Sequence, residues 1–379
     1  MKICYVTTLA VSIRSFFVPQ LKYLADNGFD VTVICSPDDS IPSILGTSIK
    51  YIPVSIPRGV DFMGSIRAIK DLKKVFKQEK FDFIQYSTPN AAFYASIAAK
   101  SVKAKVRNYH LMGLRYLGET GLKRKILYWF DRIACLNSTH VECVSPSNLV
   151  LAEQEKLFKK GKGIVVWNGS SGGLDIERFD VAHRSEYRTQ IREKYGISEN
   201  EFVFGFVGRI TRDKGVNEVL EAFASFKNAR LMMIGDKEGE QTLDPALYES
   251  SLSDERIIYT GRVVDVERYY AAIDTLLFPS YREGFGNVVM EAAAMGATSI
   301  ISDIPGPIDA VKVGETALAI PSHDSAALRV AMEKMMDDDL RAEFSAKAVR
   351  HVRESFDQDI LMSHILNRKN ELLGRKNDE

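Results

Sequence analysis

The sequence of 379 residues is long enough for two domains that each bury a core of their own. Its 45% hydrophobic and 26% charged residues are typical of a soluble globular protein. No run approaches the roughly 20 apolar residues of a membrane-spanning helix, and residues 1–7 resemble a buried strand rather than a secretory signal. These features argue against an integral membrane protein and a secreted one, and we expect a cytoplasmic location. Four cysteines without metal or disulfide spacing, which we interpret as buried thiols of a reducing compartment, are Cys4, Cys35, Cys135 and Cys143.

The net charge of zero hides a strong asymmetry along the chain. Residues 1–165 carry 24 Lys and Arg against 13 Asp and Glu, whereas the remainder carries 26 against 37. A basic N-terminal half suits an anionic membrane surface or a pyrophosphate-bearing acceptor. The alternative is that the two halves simply attract each other.

Apolar runs rich in β-branched residues alternate with helical periodicity in chain order. They predict strands at 2–7, 30–35, 82–86, 105–110, 139–144 and 163–167. A second series follows at 202–208, 230–235, 256–261, 274–279 and 298–302. Strands and helices in alternation predict an α/β protein whose parallel sheets are covered by helices on both faces.

A Gly/Ser-rich stretch at 168–173 separates the two strand series and predicts a domain boundary. We therefore predict two Rossmann-like domains at 1–168 and 174–355, with a polar helix near 181–195 opening the second. A last helical segment, 356–379, has its helix at about 357–373, and we expect residues 375–379 to fray.

The most informative stretch is REGFGNVVME, residues 282–291, between an apolar strand and a small-residue helix. Its glutamates, Glu283 and Glu291, lie eight positions apart at the two ends of a glycine loop. The N-terminus of the following helix offers backbone N–H groups and a positive dipole end to a phosphate. Carboxylates accept hydrogen bonds from pairs of sugar hydroxyls. This segment therefore predicts a site for a diphosphate with sugars on both sides.

A second strand end, GFVGRITRDKG at 205–215, supplies two cations five positions apart, Arg209 and Lys214. Gly208 lets the backbone approach a ligand closely. Paired cations stabilise the negative charge of a departing diphosphate without a metal. We interpret Arg212 and Asp213 as solvated or as a local ion pair.

These motifs, with SDIPG at 302–306, closely resemble the E-x7-E signature and the G-R-x4-K-G pattern of retaining glycosyltransferases of GT-B fold, family 4. The resemblance implies two Rossmann-like domains that face a cleft, with the C-terminal helix crossing back to the first domain. It implies that Glu291 binds ribose hydroxyls, that Glu283 positions the transferred sugar, and that Arg209 and Lys214 bind the diphosphate. The donor-binding residues that it implies are Gly208, Arg209, Lys214, Gly261, Arg262, Val263, Glu283, Gly284, Phe285, Gly286, Asn287 and Glu291. In this set the loop from Gly284 to Asn287 holds the distal phosphate, and Gly261, Arg262 and Val263 lie beside the nucleobase.

No G-x-G-x-x-G after a strand and no Walker sequence is present, which argues against nicotinamide and P-loop enzymes. Asp337, Asp338 and Asp339 are most simply a helix start rather than metal ligands. We expect no cofactor and no metal, with the nucleotide sugar as a substrate.

The acceptor side is assigned to the N-terminal domain. In the first βα loop, residues 7–16, the family often has a glycine pair that this chain lacks, and Ser12, Arg14 and Ser15 are predicted to contact an acceptor phosphate. His110, at the end of a strand, matches a family histidine that faces the donor sugar, although a structural histidine is an equal alternative. Arg115 is a further candidate for the acceptor phosphate.

The segment GLKRKILYWF, residues 121–130, is basic and then aromatic. Such a helix can rest at a membrane interface through Lys123, Arg124 and Lys125. The alternative is a core helix with a charged first turn.

The segment 165–175 resembles a subgroup of capsule, exopolysaccharide and O-antigen pathways, whose members extend an undecaprenyl-diphosphate-linked sugar at the cytoplasmic face. We therefore predict a retaining, metal-independent transferase that uses a UDP-sugar and a polyprenyl-diphosphate-linked acceptor, peripheral on the inner face of the membrane and without nucleic-acid partners. The predicted catalytic residues are Arg209, Lys214, Glu283 and His110. The alternatives are a UDP-sugar epimerase of the same fold and a catalytically silent partner subunit of a transferase.

Overall fold

The computed structural model describes residues 1–58, 61–238 and 243–375, so residues 376–379 of the predicted frayed tail lie outside the described residues. The chain forms two compact units. The first comprises residues 1–172 and the C-terminal segment from Asp359, and the second comprises Gly173–Gln358. Each unit is built on a parallel sheet of its own.

The N-terminal unit has seven strands within its described residues, in the order β3-β2-β1-β4-β5-β6-β7. The strands are β1 (Lys2–Val6), β2 (Asp30–Cys35), β3 (Lys50–Pro53), β4 (Phe83–Ser87), β5 (Val106–Leu111), β6 (His140–Cys143) and β7 (Gly163–Val165). The helices are α1 (Ala10–Phe16), α2 (Val18–Asp26), α3 (Ile41–Leu45), α4 (Phe62–Glu79), α5 (Pro89–Ser101), α6 (Gly121–Asn137) and α7 (Pro146–Gln154). Helices on both faces explain why β4 is buried along its whole length.

The second unit has six strands within its described residues, in the order β10-β9-β8-β11-β12-β13. The strands are β8 (Phe202–Val207), β9 (Ala229–Ile234), β10 (Ile257–Gly261), β11 (Thr275–Phe278), β12 (Thr298–Ser302) and β13 (Ala317–Ile320). The helices are α8 (Arg184–Lys194), α9 (Val216–Phe223), α10 (Pro245–Leu252), α11 (Val266–Ala272), α12 (Asn287–Ala294), α13 (Ser325–Met335) and α14 (Asp338–Phe356). Asp337 caps α14 through the backbone N–H of Leu340, so the aspartate run is a helix start as predicted.

The last helix, α15 (Gln358–Leu373), belongs with the N-terminal unit from Asp359 onward. Leu373 joins the apolar core of that unit, and the buried Lys369 ammonium lies 3.0 Å from Glu142 Oε2 on β6. The predicted α/β class, with two Rossmann-like sheets and a C-terminal helix returning to the first unit, is confirmed. All four cysteines are buried free thiols, also as predicted.

The structure corrects the sequence prediction at three places. The short strands β3 and β13 were not predicted. Residues 10–16, predicted as part of a loop, form α1, because Ala10 and Ile13 lie one turn apart on the same buried face and no glycine interrupts the segment.

Candidate functional site

The sheet order of the second unit brings two distant loops together. The chain leaves β8 toward β9 and β10, then returns to place β11 on the other side of β8. Open α/β sheets bind ligands at such a switch point, beside the carboxyl ends of the strands. The loops that follow β8 and β11 are residues 208–215 and 279–286, which carry the two motifs singled out in the sequence.

Glycines allow these loops to pack backbone against backbone. A Cβ on Gly215, whose φ is +74°, would lie 2.1 Å from the Pro279 carbonyl oxygen. A Cβ on Gly306, whose φ is +104°, would lie 3.0 Å from the Gly284 carbonyl group. A side chain would clash at Gly215 and would be strained and tightly packed at Gly306, so glycine at these positions lets the loops after β8, β11 and β12 pack closely. The SDIPG segment therefore supports the glycine loop from behind.

Lys214 and Glu283 form the closest charged pair of this site. The Lys214 ammonium lies 2.5 Å from Glu283 Oε1, although the residues are 69 positions apart in the chain. Their side chains are 20% and 15% exposed. The structure thus brings one predicted diphosphate ligand and the predicted sugar ligand into direct contact.

Arg209 lies at the exposed rim of the same site. Its side chain is 49% exposed, and its guanidinium nitrogens lie 3.4 Å from carboxylate oxygens of Asp213 and Glu238. Although burial opposes it, the Thr211 hydrogen bond and the neighbouring cations lower the pKa of Asp213. Asp213 is therefore an ionised member of a local ion-pair cluster that also includes Arg282, at 3.9 Å.

Glu291 lies in the second turn of α12 and accepts a hydrogen bond from the Tyr270 hydroxyl, 2.8 Å away on α11. Burial raises the pKa of this carboxyl to about 7, while the Tyr270 hydroxyl and Arg178 act in the opposite direction. Tyr270 itself is fully buried. Tyr270 has no distinguishing pattern in the sequence, and its hydrogen bond fixes one oxygen of Glu291.

The N-terminus of α12 is the candidate phosphate cradle. Gly286 occupies the N-cap position with φ +132°, and no side chain caps the helix there. Phe285 is buried, whereas Gly284 and Asn287 are partly exposed. Amides of a helix start have no intrahelical partners of their own, so this turn can bind an anion.

The carboxyl ends of β9 and β10 meet at the predicted nucleobase residues. The Gly235 N–H donates to the Gly261 carbonyl at 3.0 Å, and the Arg262 N–H donates to Asp236 Oδ1 at 3.0 Å. Gly261 has φ +68°, Arg262 is exposed and Val263 is partly buried. Asp236 was missed by the sequence analysis because a lone aspartate after a strand has no distinguishing pattern.

Tyr281 is a third residue that the sequence analysis missed. Its hydroxyl donates to Glu218 Oε1 at 2.6 Å, and its ring lies 3.6 Å from the His323 ring. The Tyr281 N–H also donates to the Asp213 carbonyl at 3.0 Å. Tyr281 thus ties the loop after β11 to the loop after β8.

His110 lies in the N-terminal unit as the penultimate residue of β5. It is only 8% exposed, its Nε2 lies 3.3 Å from the Ser171 hydroxyl, and its ring packs edge-on against Phe17. Among the described residues its buried Nδ1 has no hydrogen-bond partner. Burial lowers the pKa of His110 to about 4, so the imidazole is neutral near pH 7. The neutral imidazole can donate or accept a hydrogen bond, but it carries no positive charge.

The predicted acceptor residues of the first βα segment lie on α1. Arg14 is already engaged, since its guanidinium donates to the Ser40 hydroxyl at 3.0 Å and lies 3.4 Å from Asp38 Oδ2. Ser12 is partly buried and Ser15 is exposed. Arg115 is exposed in a short 3-10 turn after β5, apart from α1 in the chain.

Helix α6 has the buried face and the charged first turn of the core-helix alternative raised for residues 121–130, whereas its contact with a membrane stays a prediction. Leu127, Asp131, Ala134 and Cys135 are buried on one face of the helix. The first turn is exposed, with Lys123, Arg124 and Lys125 beside Leu122 at 73% exposure. Across the described residues, no helix is both long and apolar enough to cross a membrane.

Comparison with known proteins decides the family. Residues 187–351 match the family model described as "Glycosyl transferases group 1", and residues 2–145 match "Glycosyl transferase 4-like". The chain belongs to the family 4 glycosyltransferases. The family predicted from the motifs is therefore confirmed.

Similar curated proteins align with this glycosyltransferase over nearly its full length. The Staphylococcus aureus capsular polysaccharide biosynthesis glycosyltransferase CapM is 28% identical over 96% of this chain and 95% of that protein. The Escherichia coli UDP-Gal:α-D-GlcNAc-diphosphoundecaprenol α-1,3-galactosyltransferase is 22% identical over 87% and 86%. The Campylobacter jejuni N,N'-diacetylbacillosaminyl-diphospho-undecaprenol α-1,3-N-acetylgalactosaminyltransferase is 23% identical over 97% of each.

Solved structures share the fold of this glycosyltransferase. Sucrose-phosphate synthase from Thermosynechococcus elongatus superposes with a TM-score of 0.81 at 17% identity, over 99% of each chain. Anabaena HepE in complex with UDP-glucose superposes with a TM-score of 0.79 at 17% identity, over 98% of this chain and all of that one. These similarities support the GT-B fold.

Proposed function

We propose that this glycosyltransferase moves a sugar from a UDP-sugar to a saccharide carried on a polyprenyl diphosphate, with retention of the anomeric configuration, in the synthesis of a capsule or related polysaccharide. The observation that carries the proposal is the grouping of Lys214, Glu283 and the α12 N-terminus at the switch point of one sheet. Such a grouping suits a diphosphate with a sugar attached.

The donor is held by groups of the second unit. Lys214, Arg209 and the first amides of α12 bind the diphosphate, and Glu283 binds hydroxyls of the transferred sugar. Glu291, oriented by Tyr270, binds the ribose hydroxyls, while the turn from Gly261 to Val263 lies along the base. The choice of UDP rests on similarity to relatives such as the E. coli enzyme, whose name specifies UDP-Gal.

The reaction is a front-face substitution at the anomeric carbon. The bond from that carbon to the β-phosphate oxygen breaks, and its electron pair leaves with the diphosphate. The acceptor hydroxyl oxygen forms the new bond on the same face, and its proton passes to the departing phosphate oxygen. Arg209, Lys214 and the α12 helix dipole stabilise the negative charge that develops. Glu283 acts in positioning, because its carboxylate is engaged with Lys214 and no proton transfer is required of it.

The chemistry proceeds without a metal ion or another cofactor in this proposal. The fixed cations Arg209 and Lys214 supply the charge that a divalent cation supplies in other transferases. We therefore expect nucleotide binding to persist in excess chelator.

The acceptor binds to the N-terminal unit, whose residues 1–165 carry the chain's excess of positive charge. The names of the E. coli and C. jejuni relatives specify diphosphoundecaprenol-linked acceptors. We propose that this chain uses an acceptor of the same class and acts as a peripheral protein at the cytoplasmic membrane surface. Arg115 contacts the diphosphate of the acceptor. Further acceptor contacts come from Ser12, Arg14 and Ser15. We propose that His110 acts as a neutral hydrogen-bonding group for a substrate.

The direct test of the donor site is thermal stabilisation by UDP, GDP and ADP, each with chelator and with magnesium. Selective binding raises the melting temperature by mass action. We expect a shift with UDP that survives chelator. A preference for GDP or ADP contradicts the UDP assignment, and no shift with any nucleotide favours a catalytically silent subunit.

A further inference from the structure

An apolar groove of about 410 Å³ opens on the N-terminal unit beside α6. This volume lies within the roughly 300–1,000 Å³ range of small-molecule sites. The groove is lined by residues that include Asn90, Arg115, Leu122, Lys123, Ile126 and Phe130. Nothing in the donor site or in the predicted acceptor loop uses this groove.

The groove lies at the ligand-binding edge of the N-terminal sheet. Asn90 stands in the first turn of α5, directly after β4, and Arg115 follows the end of β5 by four positions. Helix α6 starts a few residues later, at Gly121. Because β4 and β5 are parallel neighbours, their carboxyl ends share one edge of the sheet. That edge is where open α/β sheets bind ligands.

The walls of the groove are largely apolar. Leu122 is 73% exposed and Ile126 is partly exposed, so the groove presents aliphatic surface to solvent. Phe130 stacks on Phe93 with ring centroids 4.1 Å apart and an interplanar angle of 5°. An occupant of this groove gains free energy by covering Leu122 and Ile126.

The mouth of the groove is cationic. Arg115 is exposed and makes no hydrogen bond or salt bridge within the described part of the chain. Lys123 is 64% exposed and pairs with Glu119 at 2.7 Å, and Arg124 and Lys125 follow it on the exposed first turn of α6. The complementary ligand is a molecule with an apolar chain joined directly to a strong anion.

We propose that this groove binds the isoprenoid units of the acceptor next to its diphosphate, with Arg115 contacting the diphosphate. The inference rests on the proposed function for the identity of the acceptor and names the part of the chain that recognises its lipid. The methyl-branched hydrocarbon chain of the isoprenoid covers Leu122 and Ile126, and the diphosphate binds the cations at the mouth of the groove. A nucleotide has a diphosphate for the mouth but no apolar chain for the walls, and a neutral lipid has no anion for the cations.

The test uses farnesyl diphosphate, a soluble isoprenoid diphosphate, and inorganic pyrophosphate as its matched headgroup. Binding of each is measured calorimetrically to the full chain in excess UDP, which keeps the probes out of the proposed donor site. We expect Leu122→Asn to weaken farnesyl diphosphate about tenfold and to leave pyrophosphate unchanged, because only the isoprenoid loses contact area. Arg115→Met weakens both probes, since both carry the diphosphate.

The control is Leu136→Asn. Leu136 lies on the same helix, is 54% exposed and is outside the groove lining, so both probes retain their affinities. Equal affinities of the two probes for the wild type overturn the proposal, as does a loss in Leu136→Asn that matches the loss in Leu122→Asn. Weaker binding of Leu122→Asn to vesicles that contain no isoprenoid assigns the surface to bulk membrane and also overturns it. Because the assay needs no sugar transfer, failure of the proposed reaction is scored separately in a transfer assay.

Discussion

The Lys214 ammonium lies 2.5 Å from Glu283 Oε1, and this contact joins the loop after β8 to the loop after β11. Both side chains are mostly buried, and their opposite charges neutralise each other at the switch point. In the proposed donor complex, the diphosphate competes with Glu283 for the same ammonium. We therefore expect the pair to loosen as the donor binds, which frees Glu283 for the sugar hydroxyls.

Replacing one partner at a time separates these roles. Glu283→Gln removes the competitor for Lys214, so UDP binding is expected to be unchanged or tighter, whereas turnover falls about tenfold or more through loss of a charged hydrogen bond to the sugar. Lys214→Met weakens UDP and lowers kcat/KM by about a hundredfold or more. Calorimetry with UDP and steady-state kinetics measure the two effects. Weaker UDP binding in Glu283→Gln contradicts the competition.

Arg209 and Arg212 give a matched pair on one loop. Arg209→Met is expected to lower kcat/KM with the sugar donor by about a hundredfold, because it removes a cation from the leaving diphosphate. Arg212→Met, at an exposed position three residues later, is expected to change kcat/KM by less than about threefold. Steady-state kinetics on both variants provide the test. A loss below about tenfold for Arg209→Met argues against its role in the reaction.

Glu291 is expected to make nucleotide binding depend on pH. Its pKa is raised to about 7, so the carboxylate form increases as the pH rises through 7, and with it the strength of the ribose hydrogen bonds. UDP affinity should therefore rise more steeply between pH 6 and pH 8 in the wild type than in Glu291→Gln, where only the terminal phosphate of UDP titrates. Tyr270→Phe should move the midpoint upward, because the Tyr270 hydrogen bond lowers that pKa.

The same group has a linked effect on stability. Since its folded-state pKa lies above the ordinary carboxyl value of 4.5, its contribution to stability is fully present below about pH 4.5 and is lost as the pH rises through about 7. Melting curves of wild type and Glu291→Gln across this pH range measure this contribution to stability.

The chemical control for the affinity prediction is 2′,3′-dideoxyuridine diphosphate, which lacks both ribose hydroxyls. Its affinity should show no pH dependence that comes from Glu291. If UDP affinity depends on pH equally in wild type and in Glu291→Gln, the assignment of Glu291 to the ribose hydroxyls is contradicted.

The buried pair Lys369–Glu142 is expected to hold α15 on the N-terminal unit. The two side chains are 2% and 4% exposed, and Lys369 also donates to Gln85 Oε1 at 3.0 Å. Lys369→Met leaves the buried Glu142 with only the more distant Arg368 guanidinium, 3.8 Å from its Oε1, and should lower the free energy of unfolding by about 3–5 kcal/mol. Lys347→Met breaks an exposed pair with Glu343 and should lower it by less than about 1 kcal/mol. Urea denaturation distinguishes the two, and similar losses contradict the account.

The local parts of the candidate donor site can be proposed from the sequence alone, because each motif lies within one strand, one loop and one helix start. The spacing of Glu283 and Glu291 along residues 282–291 is visible without a structure. The presence of two cations, Arg209 and Lys214, on one loop is visible as well. The contact between Lys214 and Glu283 is not, because it depends on β11 lying next to β8. Strand order is a property of packing that periodicity along the chain does not encode.

The residues that sequence reasoning missed act through distant partners. Tyr270 meets Glu291 from another helix, 21 positions earlier in the chain, and Lys369 meets Glu142 across 227 positions. Both look like ordinary helix residues in the sequence. The missed strands β3 and β13 have four residues each, and β3 lies at a sheet edge where its side chains are only partly buried. Such a strand lacks the apolar run that marks a central strand.

The measurement that tests the central claim most directly is the anomeric configuration of the product. The purified chain is incubated in chelator with a panel of UDP-α-sugars and a synthetic lipid-diphosphate-linked saccharide, and the product is analysed by mass spectrometry and NMR. The account predicts transfer of one sugar in α linkage, with Lys214→Met nearly inactive. A β-linked product, or conversion of a UDP-sugar to its epimer without an acceptor, would contradict it.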